Sequence, residues 1–178
     1  SVFRAGPVVR WMEDSPWMRT EEGRSAWKEL AFEVPVPPAS PSSAVSSSDI
    51  LIGALDRLVR DPDGSYTILD FKITARKKSP EALLETYRTQ LNLYASALES
   101  LVPESRGKTR AFLVHIAGGQ VTEIEVPLEA SRLGELRDRA ESILRGRSGE
   151  ARPGSLCEVC DHLDRCPEGR RFRSSSND

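Results

Sequence analysis

The chain has 178 residues, of which 38% are hydrophobic and 29% are charged, so it is long enough for one domain with a buried core. Its formal net charge of -2 excludes a strongly basic protein, and any surface that binds nucleic acid must therefore be a local patch. No apolar run reaches the roughly 20 residues of a membrane span and no signal peptide is apparent, so we expect a cytoplasmic protein without membrane contact.

The N-terminal part of the chain predicts a short helix, a strand and a loop. Residues 1–18 are amphipathic and contain Trp11 and Trp17, which favours a helix and a turn that serve packing. Residues 27–34, WKELAFEV, favour a strand. Residues 37–48 are rich in proline and serine, and we expect an exposed loop between two neighbouring strands.

A β-hairpin is predicted from two apolar segments, residues 51–59 and 66–73. Between them lie residues 61–64, DPDG, in which proline suits the first central position of a turn and glycine can adopt the left-handed conformation. A three-residue loop of this type fixes the register of the two strands.

The predicted register brings three ionisable residues to one face of the hairpin. Counting outward from the loop places Asp56 opposite Asp70, with Cβ atoms about 5 Å apart. Lys72 points to the same face because side chains alternate along a strand. Two carboxylates this close repel each other unless a cation lies between them, and Mg²⁺ binds carboxylates together with water and phosphate. We therefore predict a site for metal-assisted phosphodiester hydrolysis, with an ordinary surface charge pair as the alternative.

A long helix is predicted after the hairpin. Ser79 is a capping residue, and the proline and the acid that follow it are typical of a helix start. Just before it, residues 76–78 form a basic cluster that either binds phosphates or serves solubility. Gln90 borders an apolar stripe with steps of three and four residues, which consists of Leu84, Tyr87, Leu91, Tyr94, Leu98 and Leu101.

The next segment predicts a second hairpin and a second helix. Residues 110–117 and 120–126 are apolar strands joined by two glycines. His115 lies inside the first of them, where we expect a core residue rather than a ligand. Residues 129–145 are amphipathic, and we expect them to form a helix that covers the sheet.

All three cysteines lie near the C-terminus, in the spacing C-x2-C-x5-C formed by Cys157, Cys160 and Cys166. In an intracellular chain this spacing favours a soft metal or a cluster over disulfides. Both an iron–sulfur cluster and zinc fit thiolate-rich sites, and His162 is a possible further zinc ligand. A second basic patch flanks the cysteines and consists of Arg165, Arg170, Arg171 and Arg173.

These residues together resemble the PD-(D/E)xK nuclease superfamily, and in particular its RecB-like branch, the nuclease domain of RecB/AddA/AddB-type helicase–nucleases. In that branch an E-x-x-F strand precedes a G-x-x-D strand, a D-(Y/F)-K strand and a Q-x-x-x-Y helix. The matching residues in this sequence are Glu29 with Phe32, Asp56, Asp70 with Lys72, and Gln90 with Tyr94. Glu33 competes with Glu29 for the first position.

The resemblance implies an α/β, restriction-endonuclease-like fold, in which helices flank a mixed central sheet and a cysteine-rich tail follows. We expect a single domain in 1–178, with an N-terminal arm in 1–28, a catalytic core in 29–146 and the tail in 147–178. Because the sequence starts with serine and lacks the branch's opening helix, we expect a fragment of a larger helicase–nuclease.

The resemblance also implies a Mg²⁺-dependent or Mn²⁺-dependent deoxyribonuclease, an exonuclease that acts in DNA repair and recombination together with a helicase domain or subunit. By this likeness Asp56 and Asp70 bind the metal, and Lys72 assists the attacking water. Gln90 positions substrate or water, Tyr94 packs or contacts the DNA backbone, and Glu29 supports the metal site.

Two departures from the branch leave alternatives open. The cysteine tail resembles that of members with a 4Fe-4S cluster, whose fourth cysteine lies upstream, whereas here a fourth ligand would have to come from outside the chain, and zinc is the alternative. No histidine precedes the hairpin, although the branch has one in its opening helix. A catalytically inactive DNA-binding or scaffolding module of a helicase, or a small zinc-binding adaptor, is therefore the alternative function.

Overall fold

The computed structural model describes residues 6–19, 21–35, 50–129, 138, 151 and 153–175. The chain divides into two compact units, Ser1–Asp138 and Arg139–Asp178. The predicted loop at 37–48 and most of the predicted helix at 129–145 lie outside the described residues. Among the described helices, none combines the length and the hydrophobicity that a membrane span requires.

A mixed five-stranded sheet forms the first unit, with its strands in chain order across the sheet. Among the described strands β3 and β4 run parallel, and the other neighbouring pairs are antiparallel. The parallel pair requires a crossover connection, which the long helix α2 provides. The elements are α1 (Pro7–Asp14), β1 (Ser25–Pro35), β2 (Ile50–Arg60), β3 (Tyr66–Thr74), α2 (Pro80–Leu101), β4 (Thr109–Ala117) and β5 (Gln120–Glu125). The predicted mixed sheet with flanking helices is confirmed.

Each face of the sheet has its own hydrophobic cluster, as expected where neighbouring strand residues point to opposite faces. The larger cluster includes Ile68 and Leu113 and packs against α2 through Leu91. The smaller cluster joins residues on β3 and β4 to aromatic residues of the N-terminal part, and it consists of Leu69, Phe71, Phe112, Val114 and Val121 with Trp11 and Trp17.

The loop and the register of the hairpin agree with the prediction. The backbone nitrogen of Asp61 donates to Ser65 at 2.9 Å, and that of Gly64 donates to Asp61 at 2.9 Å. Gly64 has φ +82, the left-handed conformation that glycine adopts without steric cost. The ladder then runs from Arg60 opposite Tyr66 to Arg57 opposite Leu69, so counting from the loop locates every pair up to that point.

The start of α2 agrees with the prediction, but part of its predicted stripe is wrong. The Ser79 hydroxyl accepts a hydrogen bond from the backbone nitrogen of Ala82 at 3.3 Å. Leu101 is 51% exposed, because α2 ends there and the chain turns away. Asn92 is fully buried instead, and its amide bonds backbone groups of Arg88, Pro127 and Glu129.

A close contact between β1, β2 and α2 depends on Gly53. Gly53 pairs with Phe32 across the two antiparallel strands, and the phenyl ring lies directly over the glycine. A Cβ atom on Gly53 would lie 2.5 Å from Cζ of Phe32. On its other side the ring meets Tyr94 of α2 edge to face, with centroids 5.8 Å apart. Gly53 therefore leaves the space in which Phe32 connects the sheet to α2.

Gly53→Ala should lower the free energy of unfolding by about 1–3 kcal/mol, because the added methyl group overpacks the space that the Phe32 ring fills. Urea unfolding of the variant measures this change. The control is a double-mutant cycle with Phe32→Leu, which removes the ring edge that the methyl group meets. We expect the two losses to be less than additive, and strict additivity would contradict the contact as the cause.

Candidate active site

The site begins with Asp70, a carboxylate in the middle of β3 that is 1% exposed. Its Oδ2 lies 2.8 Å from Nζ of Lys72, two residues further along the same face of the strand. Within the described part of the chain no donor meets Oδ2 at hydrogen-bond angles, so this buried oxygen has only the ion pair. A buried oxygen with an unused acceptor position is what a bound cation would use.

Helix α2 supplies the polar groups on the other side of Asp70. Nε2 of Gln90 lies 3.4 Å from Oδ1 of Asp70 and 2.7 Å from the hydroxyl of Tyr94. One turn earlier on the helix, the ring of Tyr87 lies 4.8 Å from Nζ of Lys72, within the range of a cation–π interaction. The predicted residues Asp70, Lys72, Gln90 and Tyr94 are thus brought together in one chain of contacts.

Asp56 belongs to the same site and lies just beyond the last regular backbone pair between β2 and β3. The last backbone pair is Arg57 opposite Leu69, and beyond it Oδ2 of Asp56 accepts a hydrogen bond from the backbone nitrogen of Phe71 at 2.8 Å. The side chain of Asp56 therefore takes the place of a backbone carbonyl in the ladder. The predicted Asp56–Asp70 alignment is not a ladder pair, yet the Asp56 charge acts on Asp70.

The opposite neighbour of Asp56 is also irregular. Glu29 has φ +47 and interrupts the β1–β2 ladder between the flanking pairs, Lys28 with Arg57 and Leu30 with Leu55. On β2, Leu55 and Leu58 both face the core although three positions separate them, which shows a break in strict alternation. Glu29 is exposed at this break. Glu33 alternates with two buried neighbours, Phe32 and Val34, and lies on the face away from α2.

The electrostatics of the site centre on the buried carboxylate. Burial raises the pKa of Asp70 above its ordinary value, the Lys72 ammonium partly offsets the rise, and the Asp56 charge adds to it. Asp56 and Lys72 are partly exposed, so the site meets solvent on their side of Asp70. A divalent cation bound here would relieve the repulsion between the two carboxylates.

The chemistry of the donor set fits Mg²⁺ or Mn²⁺ at Asp56 and Asp70. The described residues contain no cluster of three or more histidine, cysteine or acidic side chains arranged for a metal. Mg²⁺ does not need one, because it keeps several waters and binds through one or two carboxylates together with substrate phosphate. The unused lone pair on Oδ2 of Asp70 is the observation that favours such a ligand.

The cysteines lie in the second unit, where two short 3₁₀ turns precede helix α3 (Pro167–Ser175). Gly169 is buried between two of the sulfurs: a Cβ atom there would lie 3.4 Å from Sγ of Cys166 and 3.5 Å from Sγ of Cys157. Both sulfurs accept backbone N–H groups, from Gly169 at 3.3 Å and Gly154 at 3.5 Å. Cys160 is exposed. The sulfurs of Cys157 and Cys166 thus lie near each other, and the described residues contain no group of three side chains that could hold a metal ion.

The match to a family model decides the relationship of this chain to known proteins. The model described as the PD-(D/E)XK nuclease superfamily matches residues 5–167. The chain belongs to the PD-(D/E)XK nuclease superfamily. The resemblance seen in the hairpin and the Gln90 helix is thereby confirmed, and the mixed sheet flanked by helices is consistent with the restriction-endonuclease-like fold of this superfamily.

Two curated relatives of this nuclease-family chain are ATP-dependent helicase/nuclease subunits. The one from Exiguobacterium sibiricum is 34% identical over 100 residues, and the one from Lacticaseibacillus casei is 33% identical over 101 residues. The alignments cover 50% and 54% of this chain and 8% of each relative. The crystal structure of SSO0001 has a TM-score of 0.57 and 16% identity, covering 81% of this chain and 61% of that one, which supports the fold alone.

Sequence reasoning assigned Tyr87 only to the packing stripe and His115 only to the core. Tyr87 lies three residues before Gln90, on the same helix face, so its spacing was a signal that it could reach Lys72. His115 is 2% exposed and its Nε2 lies 2.8 Å from the hydroxyl of Thr74. It is opposite Lys72 in the parallel ladder of β3 and β4, a pairing that no local pattern indicates.

Asp70→Asn should make the metal-free protein more stable at neutral pH. The raised pKa means that folded Asp70 keeps its proton at pH values where the unfolded side chain, with its ordinary value of 3.8, has lost it. The stability of the wild type therefore falls as the pH rises from the ordinary value through the folded-state pKa, and the penalty is complete above it.

Urea unfolding in the presence of EDTA, followed from acidic to neutral pH, measures this difference. We expect the variant and the wild type to be similar at low pH and the variant to become more stable as the pH rises. Glu85→Gln, an exposed change on α2, is the control and should show no such trend. A stability difference that does not vary with pH would contradict the burial of the charge.

Proposed function

We propose that this chain is the nuclease module of a helicase–nuclease and hydrolyses DNA with Mg²⁺ or Mn²⁺. The observation that carries the proposal is the buried Oδ2 of Asp70, which has Lys72 beside it and an unused acceptor position. Asp56 and Asp70 would hold the cation, which polarises the scissile phosphate and lowers the pKa of a bound water. One ammonium group, that of Lys72, balances only one of the two carboxylates, so a cation is still needed.

The other residues of the site have roles that follow from their contacts. Lys72 would orient the attacking water or offset the charge that develops on the phosphate. The Tyr87 ring would keep the ammonium group of Lys72 beside Asp70. Gln90, held by the Tyr94 hydroxyl, would position the water or the substrate. Tyr94 would also contact the DNA backbone at the edge of the site.

The larger context is proposed from the relatives. Because they are ATP-dependent helicase/nuclease subunits, we propose that a helicase is the partner, present either within the same chain or on a separate one. DNA repair and recombination is the process that such a pair would serve. The chain spans about 8% of the length of these relatives. From the resemblance to the RecB-like branch we propose exonuclease activity, and we also propose a cytoplasmic location.

Asp70→Asn and Lys72→Met should each lower the rate of DNA hydrolysis by a factor of about 10²–10³. The first removes a charged ligand of the cation, and the second removes the ammonium group that offsets charge developing on the phosphate. Release of nucleotides from labelled linear and circular DNA with Mg²⁺ or Mn²⁺ measures activity, and an exonuclease should spare circles. Glu85→Gln is the matched control on the exposed surface of α2. Wild-type rates in both site variants would contradict the proposal.

A catalytically inactive DNA-binding or scaffolding module of a helicase is the second candidate. It is favoured by a departure from the RecB-like branch, since no histidine precedes the hairpin in this sequence. The same assay separates the two functions: DNA binding without any metal-dependent hydrolysis supports the inactive module.

For the cysteines we propose a 4Fe-4S cluster with its fourth ligand outside this chain, and zinc is the alternative. The convergence of Cys157 and Cys166 on Gly169 supports this, because backbone N–H groups already point at both sulfurs. Protein purified without oxygen should contain iron and sulfide and absorb visible light. Cys157→Ser and Cys166→Ser should each lose them. Stoichiometric zinc would support the alternative, and neither metal would contradict a metal site.

A further inference from the structure

Three cations lie just after the end of β3. Arg76, Lys77 and Lys78 are all exposed, and none of them forms an ion pair with an acid in the described part of the chain. They lie in residues 75–78, the basic segment, between the end of β3 and the cap of α2. Asp70, Lys72 and Thr74 occupy every second position of β3 and therefore share one face of the strand. The basic segment follows directly after this row of side chains.

The basic segment is held at both ends by side-chain hydroxyls. At its start the Thr74 hydroxyl lies 2.6 Å from the backbone oxygen of Arg76 and donates to it. At its end Ser79 caps α2. A short segment fixed in this way loses little conformational entropy when it binds a ligand.

His115 fixes the direction of the Thr74 hydroxyl. A hydroxyl has one hydrogen, and that of Thr74 is used by Arg76. The contact between Thr74 Oγ1 and His115 Nε2, 2.8 Å long, therefore has the histidine as the donor. Because Nε2 carries a hydrogen in the neutral ring with this tautomer and also in the protonated ring, the contact holds in both charge states.

We infer that His115, acting through Thr74, is a positioning residue that holds the basic segment as the contact surface for phosphates of the DNA strand at the site. The inference rests on the proposed nuclease function and adds the surface that grips the strand. Unpaired cations on a fixed backbone are suited to a phosphate chain, which is bound mainly through such charges. His115 is buried and does not touch the DNA itself.

DNA binding in EDTA tests the inference without any hydrolysis. Anisotropy of a labelled single-stranded oligonucleotide is followed over a range of salt concentrations. Replacement of all three cations by glutamine should make the slope of log affinity against log salt shallower by about 2, at roughly 0.7 per cation. Lys77→Gln alone should change the slope by about 0.7. Lys108→Gln, at the opposite end of the two parallel strands, should leave the slope unchanged.

Thr74→Val keeps the shape of the side chain and removes no charge, yet it should weaken DNA binding about 2- to 10-fold, because the segment must then be ordered on binding. Thr74→Ser should restore wild-type affinity. His115→Leu should cause a similar loss, with no further loss when it is combined with Thr74→Val. In the background of the three glutamines, Thr74→Val should have no effect.

Three results would overturn the inference. They are wild-type affinity and salt slope in Thr74→Val, an equal loss with and without the three cations, and wild-type protein that does not bind DNA. Hydrolysis with Mg²⁺ is measured separately, so a protein that binds DNA in this way and never cleaves it contradicts the nuclease proposal alone.

Discussion

The arrangement of this site depends on the burial of one ionisable carboxyl group. An ionised carboxylate in the protein interior is costly unless charged and polar groups compensate it. Lys72 and Gln90 lie within 3.4 Å of Asp70, and each is held in turn by a tyrosine of α2, Tyr87 and Tyr94 respectively. Helix α2 therefore stabilises the strand that it covers and also orders the polar groups of the site.

The same contacts connect the site to β1 and β2. Tyr94 meets Phe32, and the Phe32 ring occupies the space that Gly53 leaves open on β2. Asp56 follows Gly53 by three residues on β2. Its side chain accepts a hydrogen bond from the backbone nitrogen of Phe71, the residue after Asp70. The spacing of the motif residues thus has a physical reason, because Gly53 makes room for Phe32, Phe32 packs against Tyr94, and Asp56 bonds the backbone beside Asp70.

Much of this could be predicted from the sequence, because short-range rules fix it. The turn at residues 61–64 determines the hairpin register, and the steps of three and four residues place Gln90 and Tyr94 on one helix face. Strict alternation could not show the break at Glu29 and Asp56, where the β1–β2 ladder is interrupted and the β2–β3 ladder ends. The pairing of His115 with Lys72 depends on the parallel crossover, which joins residues far apart in the sequence, and local patterns carry no information about it.

We propose that Asp56 and Asp70 together bind one divalent cation. Anomalous diffraction from crystals soaked in Mn²⁺ tests it most directly, because the signal identifies the ion and its ligands at once. We expect a single strong peak in coordination contact with Oδ2 of Asp70 and with the Asp56 carboxylate, and no peak in Asp70→Asn crystals treated in the same way. A wild-type crystal without a peak between these two carboxylates would contradict this proposal. So would an ion bound elsewhere while Lys72 remains paired with Oδ2 of Asp70.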